Sequence, residues 1–271
     1  MNSPPPEKPP LPVVPEGVDV SVPNVARMYD YLLGGKDNTL IDRACADEVV
    51  RQVPPVREIA WANRRFLGRA VRFLAGERRI RQFIDIGAGL PGQENVHEIA
   101  QRADPESRVV YVDHDPIVLA HARALLARDS RTVAVEGDVR KPADILADAE
   151  VRGLIDFAQP VALLLLAVLH FVTDAEHPHQ VVATLLAALP PGSCLVISHL
   201  HRDPVLHPLV DCYEGATSPA VPRTTAEIAA FFDGLKLVEP GLVGLRRWRP
   251  DEWILASDPD VPILGGVAVK L

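Results

Sequence analysis

Gln82-Phe83-Ile84-Asp85-Ile86-Gly87-Ala88-Gly89 is the stretch on which the architecture of this chain turns. A short apolar run carrying one acid passes straight into two glycines separated by a single residue. Glycine lacks a Cβ, so such a turn can fold back tightly and let its backbone be approached closely. A strand that ends this way and hands over to a helix predicts a βαβ unit. With Gly92 the segment also reads G-x-G-x-x-G, a pattern found in purely structural turns as well as in binding loops.

Outward from this point the pattern repeats. Strands are predicted at 82–86, 108–112 (RVVYV), 132–136 (TVAVE), 161–168 (VALLLLAV) and 193–198 (SCLVIS), with helices near 92–103, 116–128, 142–149 and 177–189. The run at 161–168 is almost wholly apolar, as a central strand covered on both faces should be. The alternation predicts an α/β fold with a mostly parallel, doubly wound sheet. Farther on, Thr224 and Glu227 suit a capping box for a helix through Phe232, and strands are expected at 235–239 and 263–270.

Upstream, residues 22–76 read as helical. Asn24 suits the cap of a first helix, ended by Gly34-Gly35. A second helix spans about 39–52, and a third carries Ile59, Ala62, Phe66, Ala70 and Phe73 at helical spacing. Seven of the first fifteen residues are proline, which predicts a disordered tail over 1–20.

The 271 residues, 48% apolar, suffice for one α/β domain with an accessory element. A formal charge of −8 argues against nucleic acid as the partner. Cys45, Cys194 and Cys212 are odd in number and widely spaced, which fits a reducing, cytoplasmic setting. The apolar run at 161–169 is about half the ~20 residues that a membrane helix needs, so no membrane association is expected. A monomer or a homodimer is expected.

Two acids join Asp85 at successive strand ends. Asp113 lies 24 residues beyond Gly89, where a carboxylate can accept both hydroxyls of a ribose. Asp138, after the third strand, can accept the amino group of an adenine. All three would sit at the carboxyl edge of the sheet, where open α/β folds bind ligands. Together they point to a nucleoside-containing cofactor. A nicotinamide dinucleotide is the competitor, but Pro91 falls where its binding helix should begin, and Asp85 suits a cation better than a diphosphate.

The stretch 23–38 (PNVARMYDYLLGGKDN) resembles the opening signature of an S-adenosyl methyltransferase family found mainly in actinomycetes. Residues 83–91 (FIDIGAGLP) with 95–98 (NVHE), 110–116 (VYVDHDP) and 168–172 (VLHFV) are similar to further motifs of that family. The resemblance implies a class I methyltransferase fold. That is a Rossmann-like, seven-stranded sheet over 78–271 whose last strand is antiparallel, with a helical N-terminal extension over 21–77. It implies S-adenosylmethionine (SAM) as cofactor and S-adenosylhomocysteine (SAH) as product. Gly87 and Gly89 would flank the methionine moiety, with Asp85 and Ala88 beside them. Asp113 and His114 would meet the ribose, and Asp138, Val139 and Ala167 the remaining cofactor surface. Tyr29, Tyr31, Gly34, Lys36, Arg64 and His199 would form the lid and acceptor pocket.

Methyl transfer needs an aligned, deprotonated acceptor. His170, directly after the central strand, is the candidate general base. His199, His201, Asp203 and His207 cluster in sequence but make a low-specificity metal pattern, so no metal is expected. The Asn/Asp-Pro-Pro-Tyr type motif of nucleic-acid amino methyltransferases is absent, since Leu166-Ala167-Val168-Leu169-His170 occupies its place. A small-molecule acceptor methylated on oxygen or nitrogen is therefore expected. A SAM-binding protein without transfer activity and a nicotinamide-dependent oxidoreductase stay open.

Overall fold

In the computed structural model, which describes residues 21–92, 94–126, 130–251 and 260–271, five parallel strands form the body of one sheet. They are β1 Gln82–Ile86, β2 Arg108–Asp113, β3 Thr132–Glu136, β4 Ala162–Leu166 and β5 Cys194–Leu200. Three more complete it: β6 Leu235–Leu237, β7 Val243–Gly244 and β8 Ile263–Lys270. The order is β3-β2-β1-β4-β5-β8-β6, with β7 also pairing β8. The last strand runs antiparallel to both β5 and β6 and inserts between them. The two-residue β7 is the one strand beyond the expected seven.

Every position of β1, β4 and β5 is buried, so alternate side chains feed two separate cores. Phe83, Val109, Leu164 and Val196 point to one face, and Ile84, Val110, Leu163 and Ile197 to the other. This is how a parallel sheet covered on both sides is built. The first face carries α1 Val25–Leu32, α2 Leu40–Gln52, α3 Val56–Arg72, α4 Val96–Ala103 and α5 Pro116–Leu126. The second carries α6 Pro142–Ala147, α7 Ala149–Leu154 and α8 Pro178–Ala187. After β5 come α9 His207–Tyr213, which returns to the first face, and α10 Thr225–Ala229.

Caps decide the boundaries that periodicity leaves vague. Asn24 accepts hydrogen bonds from the Ala26 and Arg27 amides at 2.8 and 3.1 Å and opens α1 as expected. Asn95 and Glu98 form a capping box, so α4 begins at Val96 and not near 92. Asp148 ends the expected 142–149 helix at Ala147 and, through the Glu150 and Val151 amides, caps a further helix, α7, that was not expected. The strand expected at 161–168 stops at Leu166, because Ala167 turns out of it with φ +55°. The proline-rich tail expected over 1–20 lies outside the described residues.

Candidate active site

The glycine turn is tied down by the neighbouring strand. Gly87 and Ala88 both donate to the Val112 carbonyl, at 2.8 and 3.2 Å, which folds the chain back over the end of β2. Gly87 has φ +71°, and a Cβ there would come within 2.3 Å of Val168 Cγ2. Only glycine lets the turn pass the exit of β4. Gly89 has φ +66° but nothing within 4 Å of its Cβ position, so it borders open space.

The three acids are held differently. Asp85 lies on the α3 face, is only 4% exposed, and receives no hydrogen bond among the described residues. Burial pushes its carboxyl up to about 7; the Arg64 guanidinium opposes that rise and Asp113 adds to it. Asp113 is also buried, which raises its pKa, and its two oxygens accept from the Gly89 and Asp115 amides at 2.9 and 3.0 Å. His114 Nδ1 stands 3.7 Å from Asp113 Oδ1. Burial would lift Asp138, but hydrogen bonds from Arg140 outweigh it and hold the carboxyl below the usual range. Arg140 Nε donates to both Asp138 oxygens, at 2.8 and 3.0 Å, and its other end reaches Glu176.

A cleft of about 1450 Å³, its open mouth included, runs along these strand ends beneath α1 and α3. Asp85, Gly87, Ala88, Gly89, Asp113, His114, Asp138, Val139, Ala167 and His170 all border it. So do Tyr29 and Arg64 from the N-terminal helices. Tyr29 donates to the Ala60 carbonyl at 3.1 Å and accepts from Asn63 at 2.9 Å. Arg64 donates to Asn95 Oδ1 and the Glu94 carbonyl, anchoring the loop after the glycines.

Four expected pocket residues lie away from this cleft. Tyr31 donates to Asp47 at 2.8 Å on the outer surface. Gly34 and Lys36 are exposed in a turn closed on Asp30, which accepts from the Asp37 amide and from Asn38. His199 is fully buried on the opposite face of β5, beside Phe231, because strand side chains alternate and its neighbour Leu200 faces the cleft. Its Nδ1 donates to the Leu200 carbonyl and its Nε2 accepts from Arg223, while burial drives its pKa down to about 3. His201 pairs with Thr225 and His207 opens α9. Among the described residues no group of three or more His, Cys, Asp or Glu side chains is arranged to hold a metal ion.

His170 sits in a 3₁₀ turn, Leu169–Phe171, just past β4, and is 3% exposed. Burial, with His199 and Arg223 nearby, holds its pKa well below the ordinary histidine value, so the ring is neutral. Nδ1 accepts from the Leu200 amide at 3.4 Å, which leaves the proton on Nε2, the nitrogen with no partner among the described residues.

Two supports went unread in the sequence. Buried Arg223 donates to the Leu169 and Val172 carbonyls, both at 2.8 Å, and so fixes the turn that carries His170. Ser198 accepts from the Ala167 amide at 2.8 Å and donates to Asn63 Oδ1 at 2.6 Å. A left-handed conformation costs a non-glycine residue about 1 kcal/mol or more, and these two bonds help hold Ala167 in it. The only advance signal for Arg223 was its place immediately before the Thr224–Glu227 capping box.

A family profile described as S-adenosyl methyltransferase matches residues 13–271. The chain belongs to the S-adenosyl methyltransferase family. Two solved structures agree with this along nearly their whole lengths. One, from Thermobifida fusca, is assigned provisionally as a methyltransferase; it is 43% identical with a TM-score of 0.91, over 96% of this chain and 99% of its own. The other, from Streptomyces avermitilis, belongs to a family named for its unknown function; it is 42% identical with a TM-score of 0.89, over 93% of this chain and 99% of its own. No curated protein matches the chain in sequence. This S-adenosyl methyltransferase thus has the class I fold, SAM as its cofactor, and an acceptor that the family does not name.

Proposed function

We propose that this methyltransferase binds SAM across the ends of β1, β2 and β3 and methylates oxygen or nitrogen of a small molecule in the remainder of the cleft. The carrying observation is the continuity of that cleft: it extends from Asp85 and Gly89 to Leu209 and Tyr213 under a roof of α1 and α3. A roofed channel suits a small acceptor better than a macromolecular surface, and the charge of −8 also disfavours nucleic acid.

The cofactor fits these residues on two counts. Asp85 is a buried carboxylate beside the glycine turn with no hydrogen-bond partner among the described residues, and a cationic methionine end would supply one. Gly89 borders open space where any side chain would intrude, so the backbone there can be approached closely. When bound, SAM supplies a methyl group on a positively charged sulfur. Asp113 is set to meet the ribose and Asp138, with Val139, the adenine. His170 is set to orient the acceptor through Nε2–H. A nicotinamide cofactor gains nothing here, because α4 does not start until Val96 and presents no helix N-terminus directly after the glycines.

No helix among the described residues is long and apolar enough to cross a membrane, and the three cysteines are free. We propose a cytoplasmic setting from the free, widely spaced cysteines. The test is calorimetric titration with SAM, SAH and NAD, for the parent and for Asp113→Asn and Asp113→Ala. The expected result is micromolar binding of SAM and SAH, weakened at least tenfold in both variants, and none of NAD. Preference for NAD, or no binding of SAM, would overturn the reading.

A further inference from the structure

The cleft changes character along the sheet. Its charged side chains gather at the ends of β1, β2 and β3: Asp85, Asp113, Asp115, Asp138 and Arg140, with Arg64 above them. At the ends of β4, β5 and β8 the lining turns apolar, with Leu200, Leu209 and Ile263 below the α3 side chain Ile59. Among the described residues this half carries no charged side chain. It does carry aromatic rings in series: His170 and Phe171 have centroids 4.5 Å apart, and Phe171 stacks on Tyr213 at 5.6 Å with planes 21° apart.

His170 Nε2, Tyr213 Oη and Ser218 Oγ have no hydrogen-bond partner among the described residues. Their residues are 3%, 5% and 7% exposed, so each is almost wholly buried, and all three border the cleft. Of the nearby amides, Asn24 Oδ1 is taken by its helix cap, and Asn63 bonds Tyr29 and Ser198. None of the three atoms is sealed from the cleft, since the one fully buried side-chain polar atom without a partner among the described residues is Trp248 Nε1; each therefore offers its hydrogen bond to whatever occupies that space.

We propose that this half is the acceptor subsite and that it takes an uncharged, planar aromatic molecule bearing a hydroxyl group. The ring lies against Phe171 and Tyr213, and the hydroxyl exchanges hydrogen bonds with His170, Tyr213 and Ser218. A charged acceptor would lose its hydration and find no counter-charge in return. The assignment rests on the strand-end half holding SAM.

The test is calorimetry on protein first titrated with SAH, then with three probes of one shape: 2-naphthol, 2-naphthoate and 2-naphthylmethylammonium. The neutral probe is expected to bind the SAH-loaded protein at least tenfold more tightly than either charged one. Tyr213→Phe keeps the stacked ring and removes one hydrogen bond; it should weaken 2-naphthol by about three- to tenfold and leave SAH affinity unchanged. Ser218→Ala should act in the same direction. Equal or tighter binding of a charged probe, no binding of 2-naphthol to the loaded protein, or indifference to both substitutions would overturn the subsite. Failure of SAH itself to bind would overturn the cofactor reading first, and the subsite with it.

Discussion

Burial lifts the Asp85 carboxyl from 3.8 to about 7, and that shift ties stability to binding at a single residue. The folded pKa lies above the unfolded one, so between about pH 4 and 7 the folded state keeps a proton that the unfolded chain has lost. Stability therefore falls as pH rises through that window, by about 4 kcal/mol once pH exceeds 7. Asp85→Asn retains the shape and cannot ionise. Urea denaturation should find the variant more stable than the parent at pH 8 and equal to it near pH 4. At pH 8 the same variant should bind SAM at least tenfold more weakly, since the lost charge is the one that faces the cation. If parent and variant kept a constant stability difference from pH 4 to 8, Asp85 would not titrate in this range. Its position was legible in the sequence because an acid at the end of an apolar strand has one place to go. The Ser198–Asn63 bond that supports Ala167 was not legible, because it joins residues 135 apart and neither belongs to a pattern.

At the scale of elements, α1 has only eight residues, too short to persist without outside support. Its cap Asn24 could be read from sequence, but its anchor could not. Arg27 is 2% exposed and donates to Asp42 of α2 at 2.7 Å. Asp42 also accepts from the Asn24 and Thr39 amides. Burial pushes the Asp42 carboxyl up, but these hydrogen bonds outweigh it and hold its pKa below the usual range. Its contribution is thus present above the unfolded value near 3.9 and fades as pH falls through the lower, folded one. Arg27→Met leaves a buried carboxylate without its counter-charge and should cost about 3–5 kcal/mol at pH 7. The gap to the parent should narrow as pH falls and Asp42 takes up a proton. Chemical denaturation at pH 7 and pH 3 measures this, and a loss under 1 kcal/mol at pH 7 would show α1 to be anchored by apolar packing instead. The same limit explains His199: β5 is buried on both faces, so its residue pattern has no polar side from which to read which way a histidine points.

For the whole molecule, the change of pattern near residue 77 divides helical cap from sheet in sequence, but the core runs across it. Phe66 and Leu67 of α3 share one apolar cluster with Phe83, Val109 and Leu164 of the sheet. Trp248, wholly buried, packs edge-on against Phe66 at 5.3 Å and Phe73 at 5.8 Å, and Arg69 donates to its carbonyl at 2.9 Å. The helices that roof the cleft are therefore bound to both the first strands and the last third of the chain. We expect cap and sheet to unfold as one cooperative unit, with tryptophan fluorescence and far-ultraviolet circular dichroism tracing the same urea transition. SAH should move that single transition as a whole. At a hundredfold excess over its Kd, it should add about 2.7 kcal/mol and raise Tm by about 5–10 °C. If fluorescence changed before the dichroism, or SAH shifted only one of two steps, the roof would be an independent unit that closes on the sheet only when cofactor binds. The acceptor half would then be assembled by binding rather than standing ready before it.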